Sequence, residues 1–450
     1  MSQHWAIIGG GFRGIISAIL LRRHGCEVTL IERADHLGGV LYGDTWEDFH
    51  IDLGAHILDN IDDRITDLMM EILSGALVPV DVRYAAVMDT GKVDGIAVPD
   101  FSTLDDDTRH RALHELVIAA AKTDNPPPAT LADLLTQRFG PTLAGLLAGP
   151  TRKMLRQAPT DLGPEAFLST PFQRIRLLPD DAAELLKTIP ALDDRIAVPV
   201  GPDSLRHYRA DATHYPHRNF YPRDKGMRGF CEKAGEFLER IGVTLRTGGM
   251  LNNISQSAGR MSLELAIGET VTADRVLWAS PAGGLTQLAF GENLMMGGGK
   301  PVPMVMYFFL LPADQVGDYS YMHDFAEHHL LFRPSAIGAQ CGQIRKDGMT
   351  YVCLEATTDA DSPEWRAPDD HIDQIWNEAR DLDFVKGPRP EIHMIKPLPV
   401  TYVPATPRFA AKYDLLKSRV DSAFNGAVQL LEQDSFSKVD IHQAVEKWLA

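Results

Sequence analysis

Residues 5–39 constrain this chain more than any other stretch. They read Trp5-Ala6-Ile7-Ile8, then Gly9-Gly10-Gly11-Phe12-Arg13-Gly14, then an apolar run, then Glu27-Val28-Thr29-Leu30-Ile31-Glu32. The order is strand, glycine turn, helix, strand, acid. Gly9, Gly11 and Gly14 match the G-x-G-x-x-G turn. The first glycine permits the tight turn, the second lets backbone approach a pyrophosphate, and the third lets helix and strand pack closely. Ile15, Ile16, Ala18, Ile19 and Leu20 form an apolar helix face, Arg22, Arg23 and His24 put cations at its C-terminal end, and Gly25 closes it. A helix starting at such a turn offers unpaired N–H groups and the positive end of its dipole to phosphate oxygens. Glu32, where the second strand ends, can accept hydrogen bonds from a ribose. The alternative is a glycine-rich turn with no ligand, but the full strand–turn–helix–strand–acid context favours dinucleotide binding.

The next residues choose among dinucleotides. Arg33-Ala34-Asp35-His36-Leu37 leads into Gly38-Gly39-Val40. A second glycine pair directly after the acidic strand end resembles the FAD-binding signature of glutathione-reductase-like flavoproteins. Physically, it lets backbone pass close to a diphosphate or ribityl chain a second time. The simpler alternative is a Gly-Gly loop.

With 450 residues the chain is long enough for two or three domains and a large core. A net charge of −17 argues against nucleic acid or an anionic membrane as the main partner, while leaving room for local arginines to meet an anionic substrate. Cys26, Cys231, Cys341 and Cys353 form no C-x-x-C pair and no zinc spacing, so they read as thiols in a reducing compartment. The first residues lead straight into a strand with no signal-peptide pattern, and no apolar run reaches the roughly 18 residues of a membrane helix. The expected location is the cytoplasm.

Further along, Ile51-Asp52-Leu53-Gly54-Ala55-His56 reads as a strand entering a glycine turn, with a helix over 61–75. Residues 80–215 read as a helix-rich insertion without strand–helix alternation, and Asp105-Asp106-Asp107 as a solvated helix start. A helix with the stripe Met227, Phe230, Ala234, Phe237, Leu238 and Ile241 stops at Gly242. A buried strand over 275–279 ends in Ala279-Ser280-Pro281, which can bring backbone close to a cofactor. Residues 304–311, 330–333 and 350–355 read as strands of a second domain, 370–382 as a helix, and 400–420 as a proline-punctuated turn and helix. A last strand and helix occupy 427–431 and 439–449. The fold class is α/β: a Rossmann-like FAD-binding domain of glutathione-reductase type, with a substrate domain of mixed sheet plus the inserted helical portion. The expected FAD-binding domain is discontinuous over 1–80, 215–300 and 395–450. The substrate domain takes 81–214 and 301–394.

Several segments together resemble the superfamily of FAD-containing amine oxidases, protoporphyrinogen oxidases and UDP-galactopyranose mutases. They are the opening fingerprint, Asp52-Leu53-Gly54-Ala55-His56, Phe139-Gly140 through Pro150-Thr151-Arg152-Lys153, Pro159 to Leu162, Tyr221-Pro222 with Gly226-Met227, and Trp278 to Pro281. The chain departs from that pattern in three places. Asp59 stands where the mutases usually carry a second histidine. Leu155 and Arg156 replace the Trp and Gly of the "K.WG" segment. At the C-terminus, Leu430-Leu431-Glu432-Gln433-Asp434-Ser435-Phe436 lacks the usual glycine beside the cofactor, unless the alignment shifts to Asn425-Gly426. Val439-Asp440-Ile441 still resembles the start of the helix that faces the flavin.

The resemblance implies FAD as cofactor, held by Gly9, Gly11, Phe12, Arg13, Gly14, Glu32, Arg33, Gly38, Gly39, Val40, Gly54, Ala55, His56, Ala279, Ser280, Pro281, Asp440 and Ile441. It makes His56 the first candidate for a catalytic group near the flavin. Arg174, Arg176, Arg209, Arg218, Arg223 and Arg333 fall in segments expected to cover the flavin, and guanidinium groups match phosphate or carboxylate oxygens. For each, a surface ion pair is the simpler alternative; Arg333 is the second catalytic candidate. His323, His328 and His329 lack the carboxylate context of a metal site, so no metal is expected. The expected function is an FAD-dependent oxidoreductase acting by hydride transfer on a small polar metabolite: a sugar, nucleotide sugar or amine-bearing compound. A non-redox sugar mutase and a catalytically degenerate binding protein are the alternatives. The expected partner is a small, anionic or nucleotide-sugar substrate, with no nucleic acid and no membrane, and the expected assembly is a homodimer.

Overall fold

The computed structural model describes residues 2–60, 62–198, 214–431 and 440–449. The chain divides into two compact units. The first comprises Met1–Pro79, Phe220–Gly298 and Ala410–Ala450, and the second Val80–Asn219 and Gly299–Phe409.

The first unit is built on a five-stranded parallel sheet. Its strand order is Thr244–Arg246, Glu27–Ile31, His4–Ile8, Arg275–Trp278, Val428–Leu430. Every neighbouring pair is parallel. Parallel strands need covered faces, which explains why Ala6, Ile7, Leu30, Val276 and Leu277 are all 0% exposed. One face carries the helices Phe12–Arg23 and Asp440–Leu449, with Trp5 stacked on Trp448 at 6.4 Å. The other packs Ala6, Ile8, Val276 and Trp278 against Ile254 and Leu263 of a three-stranded antiparallel sheet and against Leu416, Val420 and Phe424 of the helix Phe409–Phe424. Each fully buried Ile, Leu, Val or Phe among them contributes about 1.5–3 kcal/mol. The strand order reverses between His4–Ile8 and Arg275–Trp278, and ligands of open parallel sheets bind outside the carboxyl ends at that switch point.

The second unit holds a seven-stranded sheet in the order His393–Tyr402, Val302–Pro312, Met349–Thr357, Arg333–Ser335, Tyr321–Asp324, Tyr84–Met88, Gly91–Asp94. Only the pairing of Tyr321–Asp324 with Tyr84–Met88 is parallel. Val305, Tyr307, Phe309 and Leu311 alternate onto one face and pack against Ile375, Trp376 and Ala379 of the helix Ile372–Asp381. Helices between Asp106 and Asp193 fill the expected helical portion. Asp105 caps the first of them by accepting a hydrogen bond from the Thr108 N–H.

Two stretches differ from the sequence reading. Residues 84–94 are a hairpin of the large sheet, at the start of the stretch expected to be mostly helical. Tyr84-Ala85-Ala86-Val87-Met88 is buried on both faces, so it has no alternation to betray a strand. Residues 393–402 form one strand, which takes in 400–402 from the stretch expected as a proline-punctuated turn. It lies at the sheet edge, where Pro397 and Pro399 are tolerated because only one side of the strand must pair.

Candidate functional site

The carboxyl ends of the central strands in the first unit converge on the opening glycine turn. The Gly9 N–H donates to the Ile31 carbonyl at 2.9 Å, and the Ala279 N–H donates to the Ile8 carbonyl at 2.9 Å. The three motif glycines differ in what a side chain would meet. A Cβ on Gly14 would stand 1.9 Å from the Gly9 carbonyl oxygen, and one on Gly9 would stand 2.6 Å from Ser280 Oγ. Gly11 is different. It has φ −70°, which any residue adopts, and a Cβ there would meet nothing within 4 Å. The protein's own packing therefore gives no reason for glycine at 11, whereas the close approach of a diphosphate does. The helix Phe12–Arg23 that starts here has no side-chain cap and no acid in its first turn, so its N–H groups suit an anion.

The second glycine pair joins this cradle. The Gly38 N–H donates to the Gly10 carbonyl at 2.7 Å, and Gly11 and Gly38 form a parallel bridge. Gly38 has φ +109°, and a Cβ there would strike Cys231 Sγ at 2.1 Å. Gly39 and Val40 are exposed beside it. Glu32 is partly buried and oriented by two backbone donors. The Gly10 N–H donates to Oε2 at 2.7 Å and the Ala34 N–H to Oε1 at 2.8 Å. Each carboxylate oxygen keeps a further lone pair for a ribose hydroxyl. Arg33 is exposed, Arg13 lies in the first helical turn, and the Phe12 ring meets Phe230 at 5.8 Å. Ser280 and Pro281 follow Ala279, with Pro281 preceding the helix Ala282–Phe290, whose N-terminus also lacks a side-chain cap.

Gly54, Ala55 and His56 follow the strand Phe49–Ile51 in the same unit. The His56 Nε2–H donates to the Leu53 carbonyl at 3.1 Å, which orients the ring. Just before this turn, Asp52 is buried. It accepts the Tyr221 hydroxyl at 2.6 Å and the Met227 N–H at 3.3 Å. Burial pushes its carboxyl up to about 7, against the pull of those two donors. Cys231 is pushed up to about 12 by burial and by the Asp52 charge, which makes it a poor nucleophile. Asp52 and Tyr221 lie inside motifs visible in the sequence. Their contact is not visible there, because 169 residues separate them.

Leu431 donates its N–H to the Trp278 carbonyl at 3.0 Å, so the carboxyl end of Val428–Leu430 reaches the glycine-turn end of the sheet. Asn425-Gly426 precedes that strand and lies at the opposite end, which excludes the shifted alignment. Glu432 to Phe436, Val439 and Arg209 lie outside the described residues. Asp440 begins the last helix, and Ile441 is 0% exposed within it.

Arg333 belongs to the second unit. Its Nε and Nη2 donate to the two oxygens of the fully buried Glu355 at 2.9 and 2.7 Å. Burial would lower the guanidinium, but the Glu355 charge reverses this and holds it far above its ordinary range. Other arginines are also engaged: Arg176 pairs with Asp100 and Asp180 at 3.0 and 2.9 Å, and Arg174 donates to the Asp193 carbonyl at 3.1 Å. Arg223 is exposed, and Arg218 is partly buried. The three histidines have separate partners. His323 meets the Ala97 carbonyl and is pushed down to about 4 by burial and by Arg333; His328 meets Asp89, and His329 meets Asp324. Among the described residues no group of three His, Cys, Asp or Glu is placed to hold a metal, and no helix is long and apolar enough to cross a membrane.

Residues 7–72 match the NAD(P)-binding Rossmann-like domain family. A 4,4'-diaponeurosporene oxygenase of Staphylococcus aureus is 41% identical over 58 residues, 13% of this chain and 12% of that protein. An FAD-dependent oxidoreductase of Emericella nidulans is 45% identical over 56 residues, 12% of each. The chain thus aligns with about one eighth of the length of these curated relatives. Solved structures match throughout. Reduced UDP-galactopyranose mutase aligns over 100% of this chain and 96% of its own, with TM-score 0.68 and 15% identity. A putrescine oxidase variant aligns over 99% and 97%, with TM-score 0.60 and 12% identity. The chain therefore shares the overall fold of these two proteins, and its residues 7–72 match a Rossmann-like domain.

Proposed function

We propose that this chain is an FAD-dependent oxidoreductase of the amine-oxidase-like kind. The observation carrying this reading is Gly11, which needs to be glycine only if a ligand approaches it, set between an uncapped helix N-terminus and a second glycine pair. In this reading Gly9, Gly11, Phe12, Arg13 and Gly14 surround the diphosphate. Glu32 and Arg33 take the adenosine end, and Gly38, Gly39 and Val40 flank the ribityl side. Gly54, Ala55, His56, Ala279, Ser280, Pro281 and Asp440 complete the binding surface, where Ile441, its side chain buried, can offer only backbone. When bound, FAD supplies a ring that accepts a hydride from substrate. His56, its ring oriented by donation from Nε2 to the Leu53 carbonyl, is the group placed to face the flavin and the substrate in this reading. Arg333 acts as half of a neutralised pair with Glu355. Its N–H donors suit the acceptor oxygen of a hydroxyl or carbonyl, and amines and nucleotide sugars remain in the panel to test.

The test is an absorption spectrum of purified protein with FAD quantified after denaturation. Near-stoichiometric flavin with bands near ~375 and ~450 nm is expected, because the cofactor carries the chemistry. Anaerobic addition of amines, sugars and nucleotide sugars should then bleach the long-wavelength band with one class. A colourless protein that FAD does not reconstitute sinks the reading. Flavin that turns over a sugar only after prior reduction, without net electron transfer, replaces oxidation with isomerisation.

A further inference from the structure

The second glycine segment poses a mechanical problem. The single turn Gly39–Tyr42 contains no buried residue, and Val40 is 59% exposed. Such a turn has little apolar burial to hold it. Its N-terminal end is fastened by the Gly38 hydrogen bond to Gly10 and by Leu37, 5% exposed. Its C-terminal end is fastened by side chains. The Tyr42 ring stacks on His36, with centroids 3.5 Å apart and planes 9° apart. The Arg228 guanidinium lies 4.1 Å from the Tyr42 ring centroid. Arg228 is itself held: Nη1 donates to Thr45 Oγ1 at 2.6 Å and to His50 Nδ1 at 3.0 Å. His50 is kept neutral, and so able to accept, by burial and by the Arg228 charge. The helix Gly226–Arg240 thus supplies Arg228 to one end of the turn and Cys231, beneath Gly38, to the other.

We infer that His36, Tyr42 and Arg228 are positioning residues for the cofactor, and that their stacking on Tyr42 sets how tightly FAD is held by presenting Gly38 and Gly39 to it. This rests on the flavin reading above. None of the three is among the residues expected to contact FAD, so their influence passes through the turn. An aromatic stack and a cation over a ring each contribute modestly, and together they suffice to fix a short exposed turn.

The test is FAD affinity of the apoprotein, measured by quenching of flavin fluorescence, with circular dichroism and the melting temperature as checks on folding. Tyr42→Ala and Arg228→Ala should each weaken FAD binding about five- to tenfold. Tyr42→Phe, which keeps the ring, should bind as wild type. The double variant should be little worse than either single one, because both remove the same contact. His36→Ala, at a partly exposed position, should show a smaller loss in a folded protein even if the other variants fold poorly. The inference is overturned if wild type binds FAD and Tyr42→Ala binds equally well, if Tyr42→Phe is as weak as Tyr42→Ala, or if the two losses simply add. Failure of wild type to bind FAD instead overturns the flavin reading, and this inference with it.

Discussion

The two units hold their close contacts by different means. In the first, backbone meets backbone through glycine: Gly14 sits against the Gly9 carbonyl, and Gly38 bridges to Gly11. Its buried carboxylate just before the His56 turn, Asp52, accepts from a phenol and an N–H. In the second unit the corresponding buried carboxylate, Glu355, is gripped by both arms of Arg333. Burial is thus met in two ways. Neutral donors leave the Asp52 proton in place up to about 7, while Glu355 opposes the burial of Arg333 and holds that guanidinium far above its ordinary range.

The sharpest way to break this contrast is Glu355→Gln. It leaves Arg333 buried without an opposing charge and should destabilise the protein by about 3–5 kcal/mol, read as a lowered urea midpoint. Replacing both partners, Arg333→Met with Glu355→Leu, should recover most of that loss. If the single variant is as stable as wild type, the ion pair does not govern the second unit as described. Next in size is Gly14→Ala. Its Cβ would stand 1.9 Å from a carbonyl oxygen, and the backbone shift needed should cost about 3 kcal/mol, seen in the same unfolding assay.

Asp52 predicts a pH dependence. Its folded value of about 7 lies above its ordinary 3.8, so between those limits the native protein keeps a proton that the unfolded chain has released. Unfolding then releases a proton, and stability is fully present below about pH 4 and falls as pH rises toward 7, by on the order of 2–4 kcal/mol. Asp52→Asn should flatten that part of the pH profile; an unchanged slope would remove Asp52 as its source. The smallest effect on stability belongs to Gly11→Ala, within about 0.5 kcal/mol of wild type because its Cβ meets nothing. The same change should weaken FAD binding at least tenfold, an estimate of about 1.4 kcal/mol or more. Equal FAD affinity would show that Gly11 is not a ligand-facing glycine.

The parallel sheet was legible because its strands are short apolar runs set beside strong punctuation: Gly9, Gly25, Gly242 and Pro281. The edge strand 393–402 was not legible as one element, since Pro397 and Pro399 interrupt a strand pattern until the sheet places them where one side need not pair. The hairpin over 84–94 was hidden because Tyr84–Met88 is buried throughout, and burial on both faces erases the period of two.

The same division runs through the candidate site. The glycine turn, Glu32 and the second glycine pair were assignable from sequence because each function depends on local backbone geometry and short spacing. Arg333 could be named, but its commitment to Glu355 could not, because the pairing depends on sheet register across 22 residues. Asp52 with Tyr221, and Tyr42 with Arg228, join residues far apart in the chain. Which glycine faces a ligand and which merely admits a neighbour is likewise a matter of what lies within 4 Å, and Gly9, Gly11 and Gly14 differ there while looking alike in sequence. Sequence by itself determined the local backbone devices, because they depend on residues adjacent in the chain. Tertiary structure alone decided the partners of buried charges and rings, because those depend on which distant segments meet.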